Sequence, residues 1–422
     1  MKNNKFSNFI LFWLSQSVSD LGSSMTAFSL IIWAYTKTNS AMAVSFMTFF
    51  SYLPYIIVSV FAGPFIDNHK KKSIMLLCDL GAAICTVVVL ILVLSGKLMI
   101  YHIYIVNFII GLMNSFQSPA ESVAVGLLVD DDFYSRASGM NSFSDSLLTV
   151  FTPVIASFVM SLTGLKGVIF IDLATFIFAF TFLLFVIRIP EEITTKNEES
   201  IFKGVRQGFS FLKSHKLILY IVITIAVLNF ISRLTYENIL TPMILSRSFN
   251  NYDVLGMVNG VLGLGGIIGG VIVSVKKINL DSKKMIYYSA AISFLLGDLF
   301  MAVGRSCPVW CFAALAASIP MPFIGAGQNV ILYSTVPSEI QGRVFAVRNA
   351  LQYCTIPMGI LLSGYLADYV FEPFMKNNSG LPGMLKVLVG NGQGSGMAVM
   401  FLCTSILGFT ASIIGYNIVK KE

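Results

Sequence analysis

Charge is what this sequence has least of: only 12% of its 422 residues are Asp, Glu, Lys or Arg, about half the share of a water-soluble domain. A globule dissolved in water is excluded. Histidine is scarce too, with only His69, His102 and His215, and no HExxH or paired spacing accompanies them, which excludes a zinc enzyme. The six cysteines, Cys78, Cys85, Cys307, Cys311, Cys354 and Cys403, form no CxxC pair. They read as reduced core thiols, with a bridge between Cys307 and Cys311, the two near an outer surface, as the alternative. There is no GxxxxGK[ST] to cradle nucleotide phosphates and no GxSxG elbow, so neither ATP-driven pumping nor hydrolase chemistry has its parts. No catalytic residue, metal or cofactor is expected.

What is present is apolar length. Hydrophobic residues make up 56% of the chain and aromatics 13%, and the mean hydropathy is +0.79. Apolar windows fall near 8–36, 40–66, 73–95, 99–128, 137–161, 165–187, 217–245, 253–275, 285–303, 307–333, 345–371 and 396–418. Each is long enough for a helix to cross a bilayer, at ~20 residues per crossing. They are too long and continuous for barrel strands. The expected fold class is therefore all-α integral membrane, with twelve transmembrane helices in two pseudo-symmetric six-helix bundles. The first window, flanked by Lys2 and Lys5, lacks a small-residue cleavage site and reads as a retained span.

The net charge of +7 speaks of orientation rather than nucleic acid. With the N-terminus inside, twenty of the 28 basic residues fall in segments on that side and seven on the other, leaving Arg233 within a span. Both termini are expected to be cytoplasmic, in the cell membrane. The polar stretch at 191–216 is then a linker between an N-terminal bundle (1–190) and a C-terminal one (217–422), and its FKGVRQGFSFLKSHK portion has the pattern of a helix lying along the membrane surface.

The halves repeat. At an offset of 207 residues, Gly63 and Lys70 fall on Gly270 and Lys277, and Val129, Asp132 and Arg136 fall on Val336, Glu339 and Arg343. Two parallel repeats with a site near the bilayer midplane are the arrangement by which secondary transporters alternate access.

The loop Gly63-Pro-Phe-Ile-Asp67-Asn-His-Lys70-Lys71-Lys72 resembles the signature loop of the major facilitator superfamily, departing from it where Asn68 replaces an Arg and Lys70 a second Gly. The segment Val336-Pro337-Ser338-Glu339-Ile-Gln-Gly342-Arg343-Val344 is similar to the matching loop of the drug-efflux branch, macrolide exporters included. The resemblance implies a latch in which Gly63 permits close helix approach and Asp67 pairs with Arg348 or Arg343. Two further departures are the lack of an Arg within 107–111 and Thr152-Pro153 where the antiporter motif has Gly-Pro.

Ionisable residues within spans are costly, ~2.5–3.5 kcal/mol each at a helix centre, and tend to face a cavity or a partner. Asp20, Glu121, Arg233 and Asp298 fall in the middle third of their windows, and Glu237 lies one turn beyond Arg233 on the same face. These five are the candidates for proton coupling or substrate binding. Asp20, within the hydroxyl-rich run Ser15-Gln-Ser-Val-Ser-Asp20-Leu-Gly22-Ser-Ser, ranks first and Glu121 second. A carboxyl able to hold either a proton or a cationic group makes the two exchange. Asp79, Asp145, Asp172 and Asp368 lie nearer span ends and read as structural or capped. Span 8 carries GxxxG spacings at 256/260, 265/269 and 266/270, which suit close helix packing in lipid.

The reading is a non-enzymatic secondary exporter of amphipathic drugs, macrolide-like or multidrug, working by proton antiport as a monomer. Its partners would be small-molecule substrate, protons and membrane lipids, without nucleic acid. The rivals are an exporter of an endogenous metabolite such as a siderophore, peptide or lysophospholipid, and a non-transporting scaffold or receptor.

Overall fold

A computed structural model describes residues 2–67, 69–129, 134–190, 201–275, 281–337, 340–377 and 379–421. Helices occupy all twelve apolar windows, and no strand occurs among the described residues. The first half comprises α1 (Lys2–Thr38), α2 (Ala41–Asp67), α3 (Lys71–Leu94), α4 (Ile100–Leu128) and α5 (Tyr134–Thr181), the last running into a π-helical segment at Phe182–Val186. The expected fifth and sixth spans are two helices that follow one another without a loop within α5: Gly164, at φ 68°, breaks the run between them, a conformation open to glycine at little cost.

The second half opens with α6 (Ile201–Ser214), α7 (Lys216–Arg233), α8 (Leu240–Arg247) and α9 (Tyr252–Val275). Next come α10 (Ser282–Ile292), a π-helical segment Ser293–Asp298, α11 (Leu299–Val303), α12 (Cys307–Ser318) and α13 (Met321–Thr335). The chain closes with α14 (Gln341–Tyr353), α15 (Ile356–Tyr365), a π-helical segment Leu366–Phe371, α16 (Glu372–Lys376), α17 (Leu381–Val389) and α18 (Ser395–Val419). Span 7 is not continuous, since turns at 234–239 separate α7 from α8.

Eight of the described helices are long and apolar enough, by length and composition, to cross a membrane. Large apolar side chains such as Leu77, Leu162, Phe185 and Ile406 face outward. So much exposed apolar surface suits a lipid surround and not water.

The chain divides into two compact units, 1–39 with 46–196, and 40–45 with 197–422. Each repeats the other's devices. Helix α4 ends at Val129 and α13 at Val336, both extended in backbone and both buried, which are the positions the sequence repeat pairs. In the first unit Lys72, at the start of α3, donates to the carbonyls of Leu184 (3.1 Å) and Ile187 (2.8 Å) at the end of the sixth span. In the second, Lys283 at the start of α10 donates to the carbonyl of Val419 at 3.1 Å, at the end of the twelfth. A cation there meets the negative end of the helix dipole and its unbonded carbonyls.

The amphipathic α6 does more than lie on a surface. Its Leu212 is fully buried in a cluster with Ile218, Val222, Leu332, Val336 and Val344, while Phe209 stays exposed. At another end of this unit Arg247 donates to the carbonyls of Val389 and Ala302, and Arg305 to that of Val387 at 2.8 Å, so two guanidiniums hold the C-terminus of α17. Burial and the Arg305 charge push the Arg247 guanidinium down to about 10, with Glu372 opposing. It stays cationic at neutral pH.

Asp368 is a cap, as its place near a span end suggests. Within the second unit its carboxylate accepts from Ser40 Oγ (2.6 Å) and from the N–H groups of Ala41 (3.1 Å) and Met42 (2.9 Å), satisfying the open donors at the start of α2. Asp368→Ala removes all three bonds and is expected to destabilise this unit by about 1–3 kcal/mol. Thermal unfolding in detergent reads the loss, and an unchanged midpoint would contradict the capping role.

Cys307 and Cys311 are thiols with Sγ atoms 3.8 Å apart, without a bridge. Cys78 and Cys85 are buried as expected, whereas Cys354 is exposed and so is not a core thiol.

Candidate transport cavities

Each unit encloses a cavity of its own. In the first unit a cavity of about 370 Å³ is lined by α1, α2, α3, α4 and α5. Helix α1 contributes Gln16, Asp20, Ser23, Ala27 and Leu30, a spacing that places them on one helical face. Of the hydroxyl-rich run seen in the sequence, Gln16, Ser19, Asp20, Ser23 and Ser24 line the cavity, whereas Ser15 and Ser17 bond to the Phe12 carbonyl and to Ser144, and Asp20, the first-ranked residue, is exposed.

Two acids set aside as structural share this cavity. Asp79 on α3 lines it and accepts from Gln117 Nε2 at 2.5 Å, and Asp172 on α5 lines it and accepts from Ser23 Oγ at 3.0 Å. Asp172 therefore does bridge to a neighbouring helix, as a structural acid would, yet it also faces the polar space. Among the described lining residues the ionisable side chains are three carboxyls, those of Asp20, Asp79 and Asp172. No group of three or more His, Cys, Asp or Glu among the described residues is arranged to hold a metal ion. Gln16 is 4% exposed and its Nε2 has no partner among the described residues. Glu121, one turn beyond Gln117 on α4, is half-buried and is not among the lining residues.

The second unit holds a cavity of about 520 Å³ between α7, α8, α9, α10, α12, α13 and α14. Arg233 and Tyr236 reach it from the break in span 7, where the helix ladder gives way to turns. Arg233 Nη1 pairs with Glu237 Oε2, so the mutual neutralisation that their spacing suggests is present. Glu237 itself does not line the cavity. Asp298, at the end of the π-helical segment, is 1% exposed and accepts from Thr404 Oγ1 of α18 at 2.6 Å. A π turn re-aims the side chains around it and recurs at functional sites.

The latch residues are placed only in part. Gly63 and Asp67 lie in the last turns of α2 and Arg343 in the first turn of α14, and their side-chain surroundings fall outside the described residues, as does Glu339. Arg348 is described. Its Nε and Nη2 donate to Asn349 Oδ1 at 3.1 and 2.8 Å, and its guanidinium lies 5.2 Å from the Phe345 ring centre.

A family model described as Major Facilitator Superfamily matches residues 12–360. The chain belongs to the major facilitator superfamily. Among relatives, macrolide efflux protein A of Streptococcus pyogenes is 25% identical over 376 residues, 87% of this chain and 91% of the relative. The multidrug efflux pump Tap of Mycolicibacterium fortuitum is 21% identical over 389 residues, covering 87% and 91%. A bacterial homolog of the human lysosomal transporter Spinster, in an inward-facing and occupied crystal structure, matches with a TM-score of 0.71 at 11% identity, over 98% of this chain and 96% of that one. The expected fold class stands: a multi-pass membrane protein with the superfamily fold, in a family of small-molecule transporters.

Proposed function

We propose that this superfamily member exports amphipathic drugs, macrolide-like or multidrug, from the cell by proton antiport with alternating access, its termini in the cytoplasm. The observation that carries the reading is the unequal chemistry of the two cavities. The first gathers the carboxyls of Asp20, Asp79 and Asp172, and a carboxyl can exchange a proton for a cationic group. In the second, Arg233 is the one cation among the described lining residues and it is paired with Glu237, which suits neutral or cationic amphipaths. The names of the macrolide and multidrug efflux relatives point the same way.

An anionic metabolite would need an unpaired Arg233 as its anchor, so the Arg233–Glu237 pair weighs against that cargo. A susceptibility profile of cells with and without the gene tests the reading. Loss of the gene is expected to raise sensitivity to macrolides or to cationic dyes. An unchanged profile for both classes would count against drug export.

A further inference from the structure

Gln328 on α13 and Gln352 on α14 are more than nine-tenths buried, at 7% and 4% exposure, and both line the second unit's cavity. The Nε2 of each has no hydrogen-bond partner among the described residues. A buried N–H without an acceptor costs stability, and two such groups facing one space call for a common explanation. The sequence repeat sharpens the observation. At the same offset of 207 residues, Glu121 and Asp145 fall on Gln328 and Gln352. Two acidic positions of the first half are thus neutral amides in the second.

Around this cavity Arg233 is paired with Glu237, and Asp298 accepts from Thr404 Oγ1. What remains on offer are neutral donors, the two glutamine amides beside the Tyr236 hydroxyl, on a wall that includes Leu228, Leu262, Phe294, Met321 and Ile324. The matching ligand has an apolar body and carbonyl or ester oxygens. An anion would enter beside Asp298, and a cation without acceptors would leave both amides unbonded.

We infer that Gln328 and Gln352 read the cargo in the second unit, selecting molecules rich in carbonyl and ester oxygens, such as macrolactones, over flat cations. The inference rests on the reading of the chain as an exporter of amphipathic compounds.

The test uses the purified full chain with two probes: erythromycin, which carries lactone and ketone carbonyls, and ethidium, an aromatic cation with none. Gln328→Met and Gln352→Met keep side-chain size and remove the donors. Each is expected to weaken erythromycin binding about tenfold, the worth of one lost hydrogen bond, with ethidium affinity unchanged. The unliganded variants are expected to melt at or above the wild-type temperature, because an unbonded buried amide has been replaced by an apolar group. A purely structural role for the glutamines would lower that temperature instead.

Unchanged erythromycin affinity, equal losses for both probes, or a lowered melting temperature in the unliganded variants would each overturn the inference. Wild-type protein that binds ethidium but not erythromycin would overturn it while leaving drug export standing. Wild-type protein that binds neither would overturn both.

Discussion

Asp20→Asn is expected to abolish cargo-driven proton movement in proteoliposomes while the protein stays folded and still binds cargo. Asparagine matches aspartate in shape and keeps an acceptor, but it cannot take up and release a proton. Asp20 is exposed on the polar face of α1 and lines the first unit's cavity with Asp79 and Asp172, so a proton or a cationic cargo can reach its carboxylate. One proton moving down 100 mV brings ~2.3 kcal/mol, which for a neutral cargo sustains a gradient of roughly forty-fold. Exchange for a monovalent cation moves no net charge and draws on the pH gradient alone. The variant is expected to show no cargo gradient while retaining downhill exchange. Glu121→Gln, which alters a residue outside the lining set, is expected to keep more of the coupling than Asp20→Asn. Normal proton exchange in Asp20→Asn would remove Asp20 from the mechanism.

Gly269→Ala is expected to be severely destabilising and Gly270→Ala harmless, although the two are neighbours in overlapping GxxxG spacings. A Cβ on Gly269 would lie 2.2 Å from the carbonyl oxygen of Ile319, and one on Gly265 would lie 2.0 Å from Ser318 Oγ. The backbone oxygen cannot swing away as a flexible side chain can, so α9 must move off the chain that joins α12 to α13. Overpacking of this kind costs about 1–3 kcal/mol and occasionally more. A Cβ on Gly266 or Gly270 meets nothing within 4 Å, and alanine there gains up to about 1 kcal/mol of helix propensity. Thermal unfolding of the two variants in detergent separates them, and equal midpoints would show that α9 does not pack through Gly269.

The same pair shows what a sequence tells and what it withholds. Apolar windows are legible because lipid leaves the backbone no other way to satisfy its hydrogen bonds, and the repeat is legible because Val129 and Val336 end equivalent helices. Spacing alone cannot say which of 265/269 and 266/270 faces a neighbour, because that depends on rotation about the helix axis, which packing fixes. Asp79 and Asp172 look like span-end acids for the same reason. Counting along a helix gives depth, not direction, and it is direction that brings them beside Asp20. On α1 the polar residues recur on one face, so there the sequence does announce the cavity. The break of span 7 at 234–239 has its sign in Pro242, in the first turn of α8, which has no N–H for the carbonyl of Asn238 and so does not continue a helix from upstream.

Proton release on cargo binding tests the exchange at Asp20 most directly. Erythromycin or ethidium is added to purified wild-type protein in weakly buffered detergent solution at a series of pH values from the ordinary carboxylate range, about 4, up to neutral, and the pH change is recorded. The expected result is release that saturates with binding and is lost in Asp20→Asn. Saturable binding without release in the wild type, or equal release from the variant, would contradict it.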